Sequence, residues 1–345
     1  MKITFDEAKE FLRNITGKDT VTIIFHNDID GFVAGILLAD LCEKNGAKIN
    51  PLPFSTVMNQ NEIIKDIGNS NKILIADLAP RLIPKILEAV KDKLTFYTDH
   101  HIKDEKVPEK INEYRTPTEI SSSNAIYQII GGRSWLGILS QFADAGWTYK
   151  ENRKVIDKFL EENNLEVEEF RQRFKFKFDR TICYFNEDLK KSFEILKNLN
   201  SLEEIEEKLE VYSAIIKKEI DRAVKEFPKK SEKIGNANYF YFDSEYPIKS
   251  EIINEISFTN PESIYIFATP RGPNIISLSA RDQTKKNNMA EILKAGIKGL
   301  EKANAGGHIP AAGAIIQTKD LEKFKENLKN YITNQKTHKP PYKPF

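Results

Sequence analysis

The sequence predicts an α/β protein: a parallel-sheet N-terminal domain, a helical connection and a smaller second α/β domain. Three observations predict it. Within residues 1–150, short β-branched apolar runs at 21–25, 72–76 and 94–97 are separated by helix-like stretches, the pattern of a parallel sheet covered on both faces. Residues 151–235 turn helical and strongly charged. From 236 to 333, strand candidates at 238–242, 263–268, 275–280 and 312–317 alternate with further helices. A chain of 345 residues is long enough to bury two such cores.

The elements follow in order. Thr4 and Glu7 make a capping-box pattern for a first helix reaching Ile15. The run Val21-Thr22-Ile23-Ile24-Phe25 reads as a buried strand ending at His26, with a helix from about Phe32 to Asn45 behind it. The strand at 72–76 ends at Asp77, and the strand at 94–97 ends at Thr98-Asp99-His100-His101. Ser121-Ser122-Ser123 opens a helix, as a cap in preference to a phosphate contact, and an apolar helical run from Trp135 holds Asp144. Ser201 with Glu204 repeats the capping-box pattern, starting a long helix that Pro228 is expected to stop. In the second domain a helix from Asn288 to about Leu300 precedes Ala305-Gly306-Gly307-His308, and the last helix spans about 319–332. Residues 334–345 carry three prolines and three lysines, an extended or disordered tail and a candidate docking segment for a partner or a neighbouring subunit.

Composition narrows the function classes. Hydrophobic residues at 40% and charged residues at 30% fit a soluble globular protein. No apolar run approaches the ~20 residues a membrane helix needs, and the N-terminus lacks a signal-peptide pattern. Two cysteines, far apart, make neither a disulfide framework nor a zinc site, which predicts a reducing, cytoplasmic setting. A net charge of +1 excludes a globally basic binder of polyanions, although local fields remain open to it.

The histidines are the most economical clue to chemistry. Of five, four fall in three short polar clusters. In His26-Asn27-Asp28-Ile29-Asp30-Gly31 the metal-capable residues stand at alternate positions after a strand, and extended geometry would turn all three to one side. The plainer alternative is that Asp28 and Asp30 cap the next helix. Asp77 ends its strand as either a cap or a ligand. In Asp99-His100-His101, one ring can coordinate while its neighbour faces substrate, and Asp99 can orient a ring nitrogen. Asp144, within its apolar run, is costly to bury unless paired or metal-bound. All three strands deliver their polar residues at their carboxyl ends, where parallel sheets bind ligands. Clustered carboxylates repel one another without cations between them. A carboxylate and imidazole set suits Mn²⁺, with Mg²⁺ as the alternative.

Together, His26-x-Asp28-x-Asp30-Gly31, the strand-end Asp77, Asp99-His100-His101 and Phe142-Ala143-Asp144 resemble, in order and spacing, the four motifs of the DHH phosphoesterase superfamily. Ser279-Ala280-Arg281 and Ala305-Gly306-Gly307-His308 resemble the DHHA1 substrate-binding domain, with Ala305 where the family usually carries a first glycine. The resemblance implies an active site in the cleft between two lobes and two divalent cations. It implies one cation on Asp28 and Asp77 with help from His26, and the other on Asp30, Asp77, His100 and Asp144, so that Asp77 bridges. His101 would meet the scissile phosphate, and Arg281, Gly306, Gly307 and His308 would grip a phosphate or terminal nucleotide. The compact form is similar to archaeal RecJ-like exonucleases of the Hef-associated type. That likeness implies single-stranded DNA or RNA as substrate, a role in repair or replication with a protein partner, and a homo-oligomer. Two alternatives stay open: a phosphoesterase for oligoribonucleotides of a few residues, pAp or a linear dinucleotide, and a non-catalytic replication scaffold.

Overall fold

The computed structural model describes residues 1–56, 58–101, 105–307 and 309–335. The chain divides into two compact units, residues 1–213 and 214–345.

The first unit is built on five parallel strands: β1 (Thr20–His26), β2 (Lys48–Phe54), β3 (Lys72–Ala76), β4 (Leu94–Asp99) and β5 (Asn112–Arg115). Their order is β2-β1-β3-β4-β5, all in parallel register. α1 (Phe5–Arg13) precedes them, α2 (Ile29–Lys44), α3 (Gln60–Ile67) and α4 (Pro84–Val90) run between them, and α5 (Ser122–Ile130) and α6 (Ser134–Phe142) follow β5. Alternate residues of β1 serve opposite faces, as a strand's period of two requires. Val21, Ile23 and Phe25 join one core with α1, α2 and α6, whereas Ile24 joins the other with α3 and α4. Burial on both faces explains why the strand is a continuous apolar run instead of an alternating one.

Two strands escape a reading by apolar runs. β2 is Lys-Ile-Asn-Pro-Leu-Pro-Phe, and its prolines are tolerated because this strand lies at the sheet edge, paired among the described strands with β1 alone. The four-residue β5 closes the opposite edge.

Beyond α6 the first unit is helical, with α7 (Lys150–Glu162), α8 (Val167–Phe170), a π-helical turn at Arg171–Lys175, α9 (Phe176–Tyr184) and α10 (Leu189–Lys197). α11 (Leu202–Lys230) runs from one unit into the next. It does not stop before Pro228: the proline falls in its last turn, where it forfeits one backbone bond, and the helix continues to Lys230.

The second unit holds a six-stranded mixed sheet in the order β10-β11-β9-β8-β7-β6. Its strands are β6 (Glu232–Ile234), β7 (Ala237–Tyr241), β8 (Ile264–Pro270), β9 (Ile275–Arg281), β10 (Asn304–Gly307) and β11 (Ala311–Gln317), and among these described strands only β7 and β8 pair in parallel. Three helices complete it: α12 (Lys249–Thr259), α13 (Met289–Gly296) and α14 (Leu321–Gln335). Ile276, Leu278 and Ala280 of β9 pack with Leu293, Phe324 and Leu328 of α13 and α14. Phe227, Phe240, Phe242 and Phe267 form an aromatic cluster elsewhere in the unit. The Ala305-Gly306-Gly307 segment before His308 lies in strand β10, because Gly306 and Gly307 pair with Gly313 and Ala312. The proline- and lysine-rich tail from Lys336 onward lies outside the described residues.

Candidate metal centre

Strand order places the site. The chain leaves β1 for β2 on one side and returns to β3 on the other, so the crevice beyond β1 and β3 is a topological switch point. β1 delivers His26, and the chain turns at once into α2, which begins at Ile29 and not near Phe32. The reason is Asp28, the extended N-cap, whose Oδ1 accepts from Gly31 N at 3.0 Å. His26, Asp28 and Asp30 are therefore not three residues of one extended segment. One ends the strand, one caps the helix and one lies in its first turn. Asp28 both caps and faces the site, because its Oδ2 lies 2.6 Å from His26 Nδ1. The start of α2 crosses β1 so closely that a Cβ on Gly31 would lie 2.2 Å from the His26 carbonyl oxygen.

Asp30 is fully buried and accepts from the backbone N–H groups of Ser122 and Ser123, both at 2.8 Å, and from the Ser123 hydroxyl. The triple serine thus divides its work: Ser121 caps α5, and its two neighbours anchor Asp30. Asp77 follows β3 in the left-handed region at φ 60°. Its N–H donates to Thr98 O on β4, and the Ser122 hydroxyl lies 3.4 Å from its Oδ1.

β4 ends in Asp99, with His100 and His101 behind it. His100 Nδ1 meets Thr118 O at 3.2 Å, which makes Nδ1 a protonated nitrogen and turns Nε2 inward, where a neutral ring offers its lone pair. That Nε2 lies 2.9 Å from Asp144 Oδ2, 3.6 Å from Asp77 Oδ1 and 3.7 Å from Asp30 Oδ2. His101 Nδ1 donates to Asp99 Oδ1 at 2.7 Å and lies 3.9 Å from Asp77 Oδ1, so both rings come near the same carboxylate. Asp144 is not inside an apolar helix. α6 ends at Phe142, and Asp144 sits in the turn beyond at φ 47°, its side chain 42% exposed. Breaking the helix lets it reach the site without being buried.

These side chains make overlapping sets whose donor atoms lie within 4.8 Å of one another: His26, Asp28 and Asp77; Asp30, Asp77, His100 and Asp144; and Asp77, His100 and His101. Asp77 belongs to all three. Burial, then the charges of Asp28, Asp30 and Asp144, push the Asp77 carboxyl well above its ordinary range, and burial with Asp144 raises Asp30. Burial opposes charge on His100, but the carboxylates of Asp144 and Asp30 outweigh it and raise the ring to about 9. His26 is raised in the same way, against burial and chiefly by Asp28, whose own carboxyl is held low against burial by His26 and Gly31 N–H. Among the described residues, Asp77 Oδ2 and His100 Nε2 are buried without a well-formed hydrogen bond. A buried carboxylate oxygen and a buried ring nitrogen left unmatched among crowded carboxylates fit divalent cations, which would displace the ring proton.

Sequence reasoning missed the support around His101. Arg115 of β5 reaches Asp99 Oδ2 at 3.1 Å and the His101 carbonyl at 3.0 Å, and Tyr97 OH donates to the same Asp99 oxygen. Against burial, His101 and Arg115 hold the Asp99 carboxyl below its usual range. Asp179 of α9, paired with Lys175, also lies near enough to be raised, after burial, by Asp28 and Asp144. Nothing in the spacing of Arg115 or Asp179 marks them.

Of the residues expected to hold substrate, Arg281 ends β9, Gly306 and Gly307 lie exposed on β10, and His308 lies outside the described residues.

Residues 20–158 match the DHH family, N-terminal domain, and residues 238–334 match the DHHA1 domain. The chain thus carries a DHH-family N-terminal domain followed by a DHHA1 domain. The fold agrees with a RecJ from Thermus thermophilus solved with Mn²⁺ at a TM-score of 0.71 and 14% identity, over 96% of this chain and 55% of that one. The chain thus spans little more than half of that RecJ. It also agrees with an exonuclease RecJ bound to manganese at a TM-score of 0.66 and 13% identity, over 95% of this chain and 94% of that one. A DHH domain described as belonging to a family of ribosomal proteins gives a TM-score of 0.68 and 17% identity, over 95% of this chain and 90% of that one. No curated protein sequence matches this chain. Members of the DHH family are metal-dependent phosphoesterases, which supports a hydrolase. Among the described residues no helix is long and apolar enough to cross a membrane.

Proposed function

We propose that this chain is a two-metal phosphodiesterase that releases mononucleotides from an end of single-stranded DNA or RNA. One observation carries the two-metal part: Asp77 is shared by a His26–Asp28 donor set and by an Asp30–His100–Asp144 set. In this reading His26, Asp28 and Asp77 hold one cation, and Asp30, Asp77, His100 and Asp144 hold the other. Divalent cations there would polarise a phosphoryl oxygen and make water acidic enough to attack phosphorus. The protein's own part is placement. Ser122 and Ser123 fix Asp30, Thr118 fixes the tautomer of His100, and the capping bond fixes Asp28. Asp99 holds Nδ1 of His101 and leaves its Nε2 for the phosphate, so Asp99 is a positioning residue. Arg281, Gly306, Gly307 and His308 would grip a substrate phosphate. Mn²⁺ is the preferred ion and Mg²⁺ the alternative; RecJ of Thermus thermophilus has been solved with each.

The near-neutral charge of +1 favours a second reading, in which the substrate is only a few nucleotides long. End-labelled DNA and RNA of several lengths, digested with Mn²⁺, separate the two. Mononucleotide release from long single strands supports the exonuclease; turnover confined to dimers and trimers selects the short substrate; no release from any strand sinks both. Asp77→Ala should abolish turnover and weaken both cation sites.

A further inference from the structure

On β9, Ser277, Ser279 and Arg281 share one face at alternate positions. Gly313 of β11 lies opposite Ser279, and Gly306 of β10 lies opposite Gly313, so this face continues as a floor without side chains. Both glycines are exposed, and a Cβ on Gly306 would meet nothing within 4 Å among the described residues.

Two cations stand at the rim of that floor and link β9 with α12 in opposite directions. Lys249, the first residue of α12, donates from Nζ to Ser277 Oγ at 2.5 Å. Arg281 donates from Nε to Asn254 Oδ1 on α12 at 2.9 Å and from its other arm to the Ala280 carbonyl. Every one of these acceptors is neutral. Burial, then the nearby charges of Arg271 and Arg281, push the Lys249 ammonium down to about 7. Half-buried cations gathered against neutral oxygens cost free energy that a bound anion would recover. An ammonium has three donors and a guanidinium five, so each group keeps donors for that anion.

We propose that Lys249 is a phosphate-binding residue of the second unit, which together with Arg281 holds a phosphate group of the substrate beside the Gly306–Gly313 floor. The proposal rests on the phosphodiesterase reading for the identity of the ligand, and its test does not depend on turnover. Inorganic phosphate is titrated into the full chain stripped of metal, followed by calorimetry, with folding checked by circular dichroism. The parent protein should bind phosphate, Lys249→Gln should bind it at least about fivefold more weakly, and Lys249→Arg should stay within about twofold of the parent. In kinetics with a 5′-phosphorylated trinucleotide, Lys249→Gln should raise KM about tenfold with far less effect on kcat. Lys249→Met, of similar length, gives the same comparison should the glutamine variant not fold. Unchanged phosphate affinity in a folded glutamine or methionine variant overturns the proposal, as does an equal loss in Lys249→Arg. A protein that binds phosphate through Lys249 but hydrolyses no phosphodiester with Mn²⁺ would refute the catalytic reading alone.

Discussion

Asp77 occupies the left-handed region, a conformation that costs a non-glycine residue about 1–3 kcal/mol. Its carboxyl is buried beside three others, with one oxygen lacking a hydrogen-bond partner among the described residues. Both features burden the folded state unless cations offset them. Asparagine tolerates the same backbone and has nearly the same shape without the charge. Asp77→Asn should therefore melt at a higher temperature than the parent in chelator, while losing most of the stabilisation that Mn²⁺ gives the parent. Differential scanning fluorimetry with and without Mn²⁺ measures both, and an undiminished Mn²⁺ shift would remove Asp77 from the shared position. At this scale the sequence was legible wherever chemistry is carried by rare residue types. Four histidines in polar clusters with spaced aspartates pointed to the residues that now crowd together. Arg115, Asp179 and the backbone of Ser122 were not legible, because a residue that acts through a neighbour leaves no spacing of its own.

At the scale of elements, the centre depends on how tightly α2 crosses the end of β1. A Cβ on Gly31 would press into the backbone of His26, which cannot swing aside as a side chain can. Gly31→Ala should cost roughly 1–3 kcal/mol of stability and displace Asp28 and Asp30 together, so Mn²⁺ affinity should fall with it. Urea denaturation and metal titration of one preparation test this; a stable variant with parental affinity would show that the crossing can relax. The opposite end of the sheet is held by a buried pair. Burial alone would raise the Asp19 carboxyl, but the Lys72 ammonium at 2.9 Å, Thr16 N–H and the Asn71 amide outweigh it and hold it at about 2. The sign follows: a lowered carboxyl adds stability above its ordinary value of 3.8, and that stability is lost as pH falls through about 2. The contribution is roughly 2 kcal/mol, so Asp19→Asn should destabilise the protein at neutral pH and flatten its acid unfolding curve. The buried strands and the capping box at Thr4 were legible because period and cap chemistry are local. The edge strand β2 hid behind its prolines, and β10 behind its glycines, since pairing with a neighbour made them strands.

For the whole molecule, the proposed exonuclease reading is tested by how much of a strand the protein binds, and salt measures that. Each phosphate neutralised on a single strand releases counterion, so the logarithm of the binding constant falls with the logarithm of salt concentration by about 0.7 per contact. The net charge is only +1, and many surface lysines and arginines are already paired, among them Arg173 with Glu169 and Glu206, Lys197 with Glu43 and Lys325 with Glu232. Cations bound to carboxylates must give up those partners before they serve a phosphate, and exposed pairs gain little from the exchange. Among the described residues, Lys249 and Arg281 bond to neutral oxygens instead of carboxylates. Two contacts predict a slope of about −1.4 for a long strand, and nearly the same slope for a trinucleotide carrying the same terminal phosphate. Fluorescence anisotropy of labelled strands across a salt series, with Ca²⁺ in place of Mn²⁺ to suppress turnover, supplies both slopes. Similar slopes would mean that the protein reads an end and little beyond it, so length preference would have to come from stacking or from catalysis. A slope steeper than about −4 for the long strand would require several further phosphate contacts along the chain. It would reject terminal capture as the main source of affinity.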